Sequence, residues 1–173
     1  MDFSEHTEAV TLEQLLESRD ARARHQRELL ERRPGHSLVC LTVQLPGPVK
    51  RNACSLAVAR AGVEAVRMAL APVEEELKDL QTGYEGYFLV PQEPQALKRI
   101  TCGIEDTHPL GRLMDLDVLG PGHPVPLSRE SIGLSPRKCL LCNQPARYCM
   151  RLRTHSTEAL LQEIERIVNN YQS

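Results

Sequence analysis

Two aspartates one residue apart, Asp115 and Asp117, interrupt the apolar run Leu113-Met114-Asp115-Leu116-Asp117-Val118. Side chains alternate faces along a strand. Met114, Leu116 and Val118 would then share one face, and the two carboxylates the other, about 7 Å apart. Like charges at that spacing repel unless a cation lies between them. Mg²⁺ suits the gap, because it binds through one or two carboxylates and keeps places for substrate phosphates. The neighbours extend the pattern. Gly111 permits close backbone approach, Arg112 offers a planar fork of donors suited to phosphate, and Glu105 could supply a third carboxylate. Pro109 holds His108 extended. A phosphate grip and a metal grip within seven residues is equipment for displacement at a phosphate ester. The competing reading is a solvent-facing edge strand with two harmless aspartates.

A second cluster follows. Cys139-x2-Cys142-x6-Cys149-x5-His155 offers four soft ligands with a CxxC start. That is zinc-like, although its middle gap is shorter than usual finger spacing. The cluster lies in a segment without periodicity, where a metal could supply the missing core. The alternatives are buried thiols beside an unrelated histidine, or packing cysteines in a basic segment. In that segment Arg137, Lys138, Arg147, Arg151 and Arg153 would hold phosphates. Cys40, Cys54 and Cys102 sit in apolar surroundings and read as small core residues. His6, His25, His36 and His123 carry no pattern.

These residues need elements to position them. Thr11-Leu12-Glu13-Gln14 reads as a capping box, and a helix is expected over 11–32, ended by Pro34-Gly35. Its arginines Arg19, Arg22 and Arg24 form either a solvated face or an anion-facing set. Ser37 to Leu45 is nearly all apolar and reads as a central strand. The stiff loop Pro46-Gly47-Pro48-Val49-Lys50 then leads to Asn52, a plausible N-cap for a helix over Ala53–Leu70. A strand, a loop with a cation and a helix can hold phosphate at the helix N-terminus. Glu76–Leu80 and Tyr84–Val90 read as a hairpin. Leu97, Ile100 and Ile104 read as a short helix, and Met114–Leu119 as a strand with a return at Val125–Leu127. Leu160, Leu161, Ile164, Ile167 and Val168 make the stripe of a C-terminal helix from Ser156 or Thr157.

These elements predict one domain over residues 1–173, of α/β or α+β class. Its mixed sheet would have about four or five strands, with three main helices. A Cys-rich segment spans 137–155. The net charge of −2 gives no global basic field, which argues against nucleic-acid binding. The first residues lack the basic and apolar regions of a secretory signal. No apolar run approaches a membrane span, so a cytoplasmic protein is expected.

HPLGRLMDLDVLG, followed by PRKCLLCNQPARYC and RLRTH, together with SRDARARHQ and PGPVK near the start, resembles the apo-citrate lyase phosphoribosyl-dephospho-CoA transferase family. That family is also called citrate lyase holo-acyl-carrier-protein synthase. Its G-R-L-x-D-x-D-V element falls on Gly111, Arg112, Leu113, Asp115, Asp117 and Val118. The same element is similar to the Gly…D-x-D of nucleotidyltransferases, although Arg112 stands where those often have Ser. The resemblance implies attack by a serine of the citrate lyase acyl carrier protein (the gamma subunit) on the α-phosphorus of triphosphoribosyl-dephospho-CoA, with diphosphate leaving. On that reading Asp115 and Asp117 hold Mg²⁺. Gly111, Arg112, Lys50, Arg19, Arg22, Arg129 and Arg137 bind the donor, and Asp117, Glu105 or His108 takes the serine proton. Zn²⁺ at Cys139, Cys142, Cys149 and His155 would be structural. Two alternatives stand beside this reading. One is the same chemistry on another carrier, such as that of malonate decarboxylase. The other is a zinc-stabilised adaptor without catalysis, which has no need of Gly111-Arg112 ahead of the aspartates.

Overall fold

A computed structural model describes residues 8–123 and 125–172; His6 lies outside them. The chain runs α1 (Leu12–Arg32), β1 (Ser37–Val43), α2 (Ala53–Leu70), β2 (Glu74–Leu80), β3 (Gly83–Val90), α3 (Pro94–Thr107), β4 (Met114–Leu119), α4 (Ala146–Leu152) and α5 (Thr157–Gln172). The predicted helix starts are where the caps place them. Thr11 and Gln14 close a capping box at α1, and Asn52 with Ser55 does the same at α2. Each such cap is worth about 1 kcal/mol. Pro94 opens α3, where its missing N–H costs nothing.

The four strands form one sheet in the order β2-β3-β1-β4, with β1 central as expected. Every pairing is antiparallel, which corrects the expected mixed sheet and makes the class α+β. The reason is interleaving. The crossovers β1-α2-β2 and β3-α3-β4 each join strands running the same way. Each of those pairs is then separated by a strand of the other unit. This is the split β-α-β-β-α-β arrangement of ferredoxin-like folds, with α1 added before it and α4 and α5 after it.

Alternation divides the sheet between two layers. Val39, Leu41, Phe88, Val90, Met114, Leu116 and Val118 face α2, α3 and α5 in the main core. Burying each such side chain stabilises the fold by about 1.5–3 kcal/mol. Gly62 lets α2 lie close, since a Cβ there would stand 2.9 Å from Leu41 Cδ2. On the opposite face Leu38, Cys40, Tyr87 and Leu89 meet Leu29 of α1 in a smaller cluster.

β4 is an edge strand, but its outer backbone is covered. Arg137 donates to Met114 O at 2.9 Å. Leu116 N donates to Glu105 Oε1 at 2.9 Å, and Lys98 Nζ donates to Leu116 O at 3.0 Å. Leu127 N donates to Val118 O at 2.9 Å. Each polar group satisfied on an exposed ladder edge removes a site for unwanted strand pairing. This edge holds the strand that carries both aspartates.

Candidate active site

The face of the sheet under α1 changes character along its length. Cross-strand partners share a face, so the register places Glu76, Tyr87, Cys40 and Asp117 in one row. Lys78, Glu85, Thr42 and Asp115 form the next. The last two turns of α1, through Leu29, cover the apolar end. Its earlier turns cover the polar end, where Arg22 Nη1 reaches Glu85 Oε1 at 3.3 Å and His25 Nε2 reaches Glu76 Oε2 at 2.8 Å. Glu85 is buried and also accepts the Tyr87 hydroxyl. Asp115 and Asp117 stay partly exposed. The alternation expected from sequence places them opposite Met114, Leu116 and Val118, all of which are buried.

Among the described residues, neither aspartate has a hydrogen bond or ion pair with another side chain. Burial pushes the Asp117 carboxyl up to about 6, and the charge of Asp115 adds to the rise; Lys98 and Arg22 oppose it. Two adjacent carboxylates that resist joint ionisation, with no protein cation between them, are chemically fit for a hard divalent ion. Such an ion reverses the penalty.

A cleft of about 860 Å³ opens at the end of the sheet where β1 finishes and β4 begins. Val43, Gln44, Leu45, Arg112 and Leu113 line it there, one to three residues along the chain from Thr42 and Asp115. Lys50, Arg137, Lys138 and Arg153 also line it, and no carboxylate does. Leu140, Met150, Leu160 and Ile164 supply apolar wall. A long ligand with charged and apolar parts matches such a lining.

The structure divides the remaining expected site residues. Gly111 approaches backbone closely, but the backbone is that of α3: a Cβ would stand 2.5 Å from the carbonyls of Ile104 and Glu105. Arg112 uses Nη2 to hold the carbonyls of Lys138 and Cys139 at 2.7 and 2.8 Å, and its buried Nε has no partner. Lys50 donates to Leu45 O at 2.6 Å, and burial lowers its pKa. Glu105 is 3% exposed and pairs with Arg137 at 2.7 Å as well as with Leu116 N. Arg129 holds Asp106 at 2.6 Å and Cys102 O, tying the loop after β4 to α3. His108 ends α3. Its Nδ1 accepts Leu110 N, its ring packs on Tyr171, and burial lowers its pKa. Arg19 is exposed. Of Arg19, Arg22 and Arg24, only Arg22 is seen bonded to the sheet among the described residues; at the far end of α1, Arg32 holds Glu74 and Glu76 of β2.

The Cys-rich segment folds over the cleft's rim. Ligand atoms of Cys139, Cys142, Cys149 and His155 all lie within 4.8 Å of one another. Cys142 Sγ is 3.5 Å from Cys149 Sγ and 3.4 Å from His155 Nε2. Tetrahedral zinc with bonds of about 2.0–2.3 Å spaces its ligands by roughly 3.5–3.8 Å, so the donor set and its size fit zinc. Glu85, Thr42, Lys78 and Tyr87 carried no expectation. A carboxylate interrupting the apolar strand GYEGYFLV was the available signal for Glu85, of the same kind that marked Asp115 and Asp117.

Residues 10–171 match the family described as apo-citrate lyase phosphoribosyl-dephospho-CoA transferase. The chain belongs to that family. A relative from Vibrio cholerae serotype O1 (strain M66-2), named probable apo-citrate lyase phosphoribosyl-dephospho-CoA transferase, is 44% identical over 94% of each chain. An Escherichia coli O1:K1 relative, named apo-citrate lyase phosphoribosyl-dephospho-CoA transferase, is 39% identical over 98% of this chain and 93% of its own. A Streptococcus pyogenes serotype M18 relative, named as the Vibrio one is, shares 37% identity over 95% of this chain and 88% of its own. The matched region contains the paired aspartates, the basic cleft and the metal-type cluster of this family member. No helix of the described residues is long and apolar enough to cross a membrane.

Proposed function

We propose that this chain transfers the 5″-phosphoribosyl-3′-dephospho-CoA group from its triphosphate precursor to a serine of the citrate lyase acyl carrier protein. The observation that carries the proposal is a pair of aspartates without side-chain partners on β4, the strand whose entry residues Arg112 and Leu113 line a cleft in which every charged side chain is basic. The serine Oγ attacks the α-phosphorus, a phosphodiester forms, and the bond to the departing diphosphate breaks. Asp115 and Asp117 are the residues to hold Mg²⁺, which would neutralise charge on the triphosphate. Lys50, Arg112, Arg137 and Arg153 line the cleft that takes the dephospho-CoA arm, with Leu140, Met150 and Leu160 against its apolar part. Arg22 and Arg19 lie on the α1 side of the aspartates, where the triphosphate would emerge. Gly111 and Arg129 support the site by setting the backbone before β4 and the loop after it.

Asp117 is the favoured proton acceptor. A carboxylate giving one oxygen to an ion keeps the other to accept the serine proton, which suits general-base work. Glu105 is spent on Arg137 and the edge of β4, and His108 on Leu110 N. Cys139, Cys142, Cys149 and His155 are proposed to hold structural zinc. A cytoplasmic location is part of the proposal, and neither nucleic acid nor membrane is a proposed partner.

The test is incubation with the apo carrier subunit, Mg²⁺ and the triphosphoribosyl donor, followed by intact mass of the carrier. A gain equal to the prosthetic group is expected, and an unchanged mass removes the proposal. Running the malonate decarboxylase carrier in parallel decides between the two acceptors. An adaptor without catalysis would show no rise in melting temperature with Mg²⁺ and the donor, whereas a ligand of the folded state must raise it.

A further inference from the structure

From Ser131 to Thr157 the sequence contains five Lys and Arg and no Asp or Glu, although the whole chain is net negative. This stretch holds the metal-type cluster and α4. The seven-residue α4 presents Arg147, Tyr148, Arg151 and Leu152 to solvent, followed by exposed Arg153. Tyr148 is 52% and Leu152 57% exposed. None of Lys138, Arg147, Arg151 and Arg153 makes an ion pair among the described residues; Arg147 is near enough to Glu130 to help lower its pKa. So short a helix has little stability alone. It is held by Ala146 N donating to Arg137 O and by buried Cys149 in the cluster.

Exposed cations around exposed apolar side chains make a surface for a protein partner with an acidic, partly apolar face. The apolar side chains supply contact area, and the charges steer encounter and fix register. A long polyanion such as nucleic acid fits less well, because it would run onto the acidic remainder of the chain. The patch is small, as suits a substrate protein that must leave after modification. We infer that the outer face of α4 is the docking surface for the acceptor protein, which would meet it with an acidic, partly apolar face, and that the Cys139–His155 cluster fixes α4 beside the cleft. This inference rests on the proposed transfer, with the donor inside the cleft and the acceptor arriving over its rim.

The test is the variant Arg147→Glu/Arg151→Glu, at two exposed positions that line neither the cleft nor the cluster. Full protein is used, with the apo carrier subunit as acceptor. The expected result is a rise of tenfold or more in KM for the carrier. The kcat, the KM for the donor and the melting temperature should stay within twofold. Leu152→Ser should raise the same KM severalfold, and wild-type binding to the carrier should weaken steeply with salt. Calorimetric binding of the carrier, measured without donor, separates the two claims. If the wild type binds and the charge variant does not, the docking surface stands even where no transfer occurs. A carrier KM and affinity unchanged in both variants overturns the inference. So does a loss confined to the donor KM, or tighter binding of duplex DNA or anionic vesicles than of the carrier at equal salt.

Discussion

Asp117 is where function and stability oppose each other. Its folded carboxyl titrates at about 6, against an ordinary value of 3.8. Ionising it therefore works against folding. The cost is absent below about pH 4 and fully present above about pH 6, where it reaches on the order of 2–3 kcal/mol without a bound cation. Urea unfolding of the metal-free protein should show stability falling across that window. Asp117→Asn should flatten the fall, leaving the variant more stable than wild type at pH 7 and equal to it at pH 4. Unchanged pH dependence in the variant would reject the assignment. Transfer should drop at least 100-fold in Asp117→Asn. Asp115→Asn should lose activity to a similar degree, together with the Mg²⁺-dependent rise in melting temperature. Full activity in a folded Asp115→Asn protein would end the metal role. Glu85 belongs to the same face, and its burial with Arg22 and Tyr87 makes it a support for the polar rows.

At the scale of elements, β4 holds the aspartates only because α3 and the following loop secure its outer edge. Glu105 matters through Leu116 N and Arg137, and Lys98 through Leu116 O. Removing one partner of a buried pair costs more than the pair contributes. Glu105→Ala should therefore lose about 3–5 kcal/mol of stability in chemical denaturation. Glu105→Gln, which keeps an acceptor for Leu116 N, should lose roughly half of that and retain transfer within about tenfold per folded molecule. Activity that vanishes in a stable Glu105→Gln protein would return Glu105 to the list of proton acceptors. The element periods were legible in the sequence. Helix starts at Thr11 and Asn52 follow from side chains that cap their own backbone, and the faces of β4 follow from strict alternation. Strand order was not legible, because backbone pairing leaves no local mark. β1 could have paired β2 through the α2 crossover, yet β3 lies between them.

For the whole molecule, the segment 137–155 is the part whose folding depends most on its metal-type cluster, since it lacks the periodicity of the other elements. About one equivalent of zinc is expected in purified protein by elemental analysis. Chelation should release amide exchange protection across 137–155 while the sheet stays protected. Uniform loss of protection, or protection unchanged after the metal is gone, would contradict a local structural metal. Cys142→Ser should reproduce the local opening without chelator.

The sequence by itself determined the family, the elements and the opposed faces of β4, since all three are carried by local spacing and side-chain type. It marked Asp115, Asp117 and the Cys/His set as groups that need something to bind. Only the tertiary structure decided what surrounds them. Glu105, Gly111 and Arg112 look alike in sequence as neighbours of the aspartates. Folding sets Glu105 of α3 on the edge of β4, presses Gly111 onto the α3 backbone and ties Arg112 to the Cys-rich segment. Arg22 and Glu85, more than sixty residues apart, meet over the polar rows. Residues distant in sequence meet only once the strands are ordered, and strand order is set by global packing of two sheet faces. No single segment encodes it.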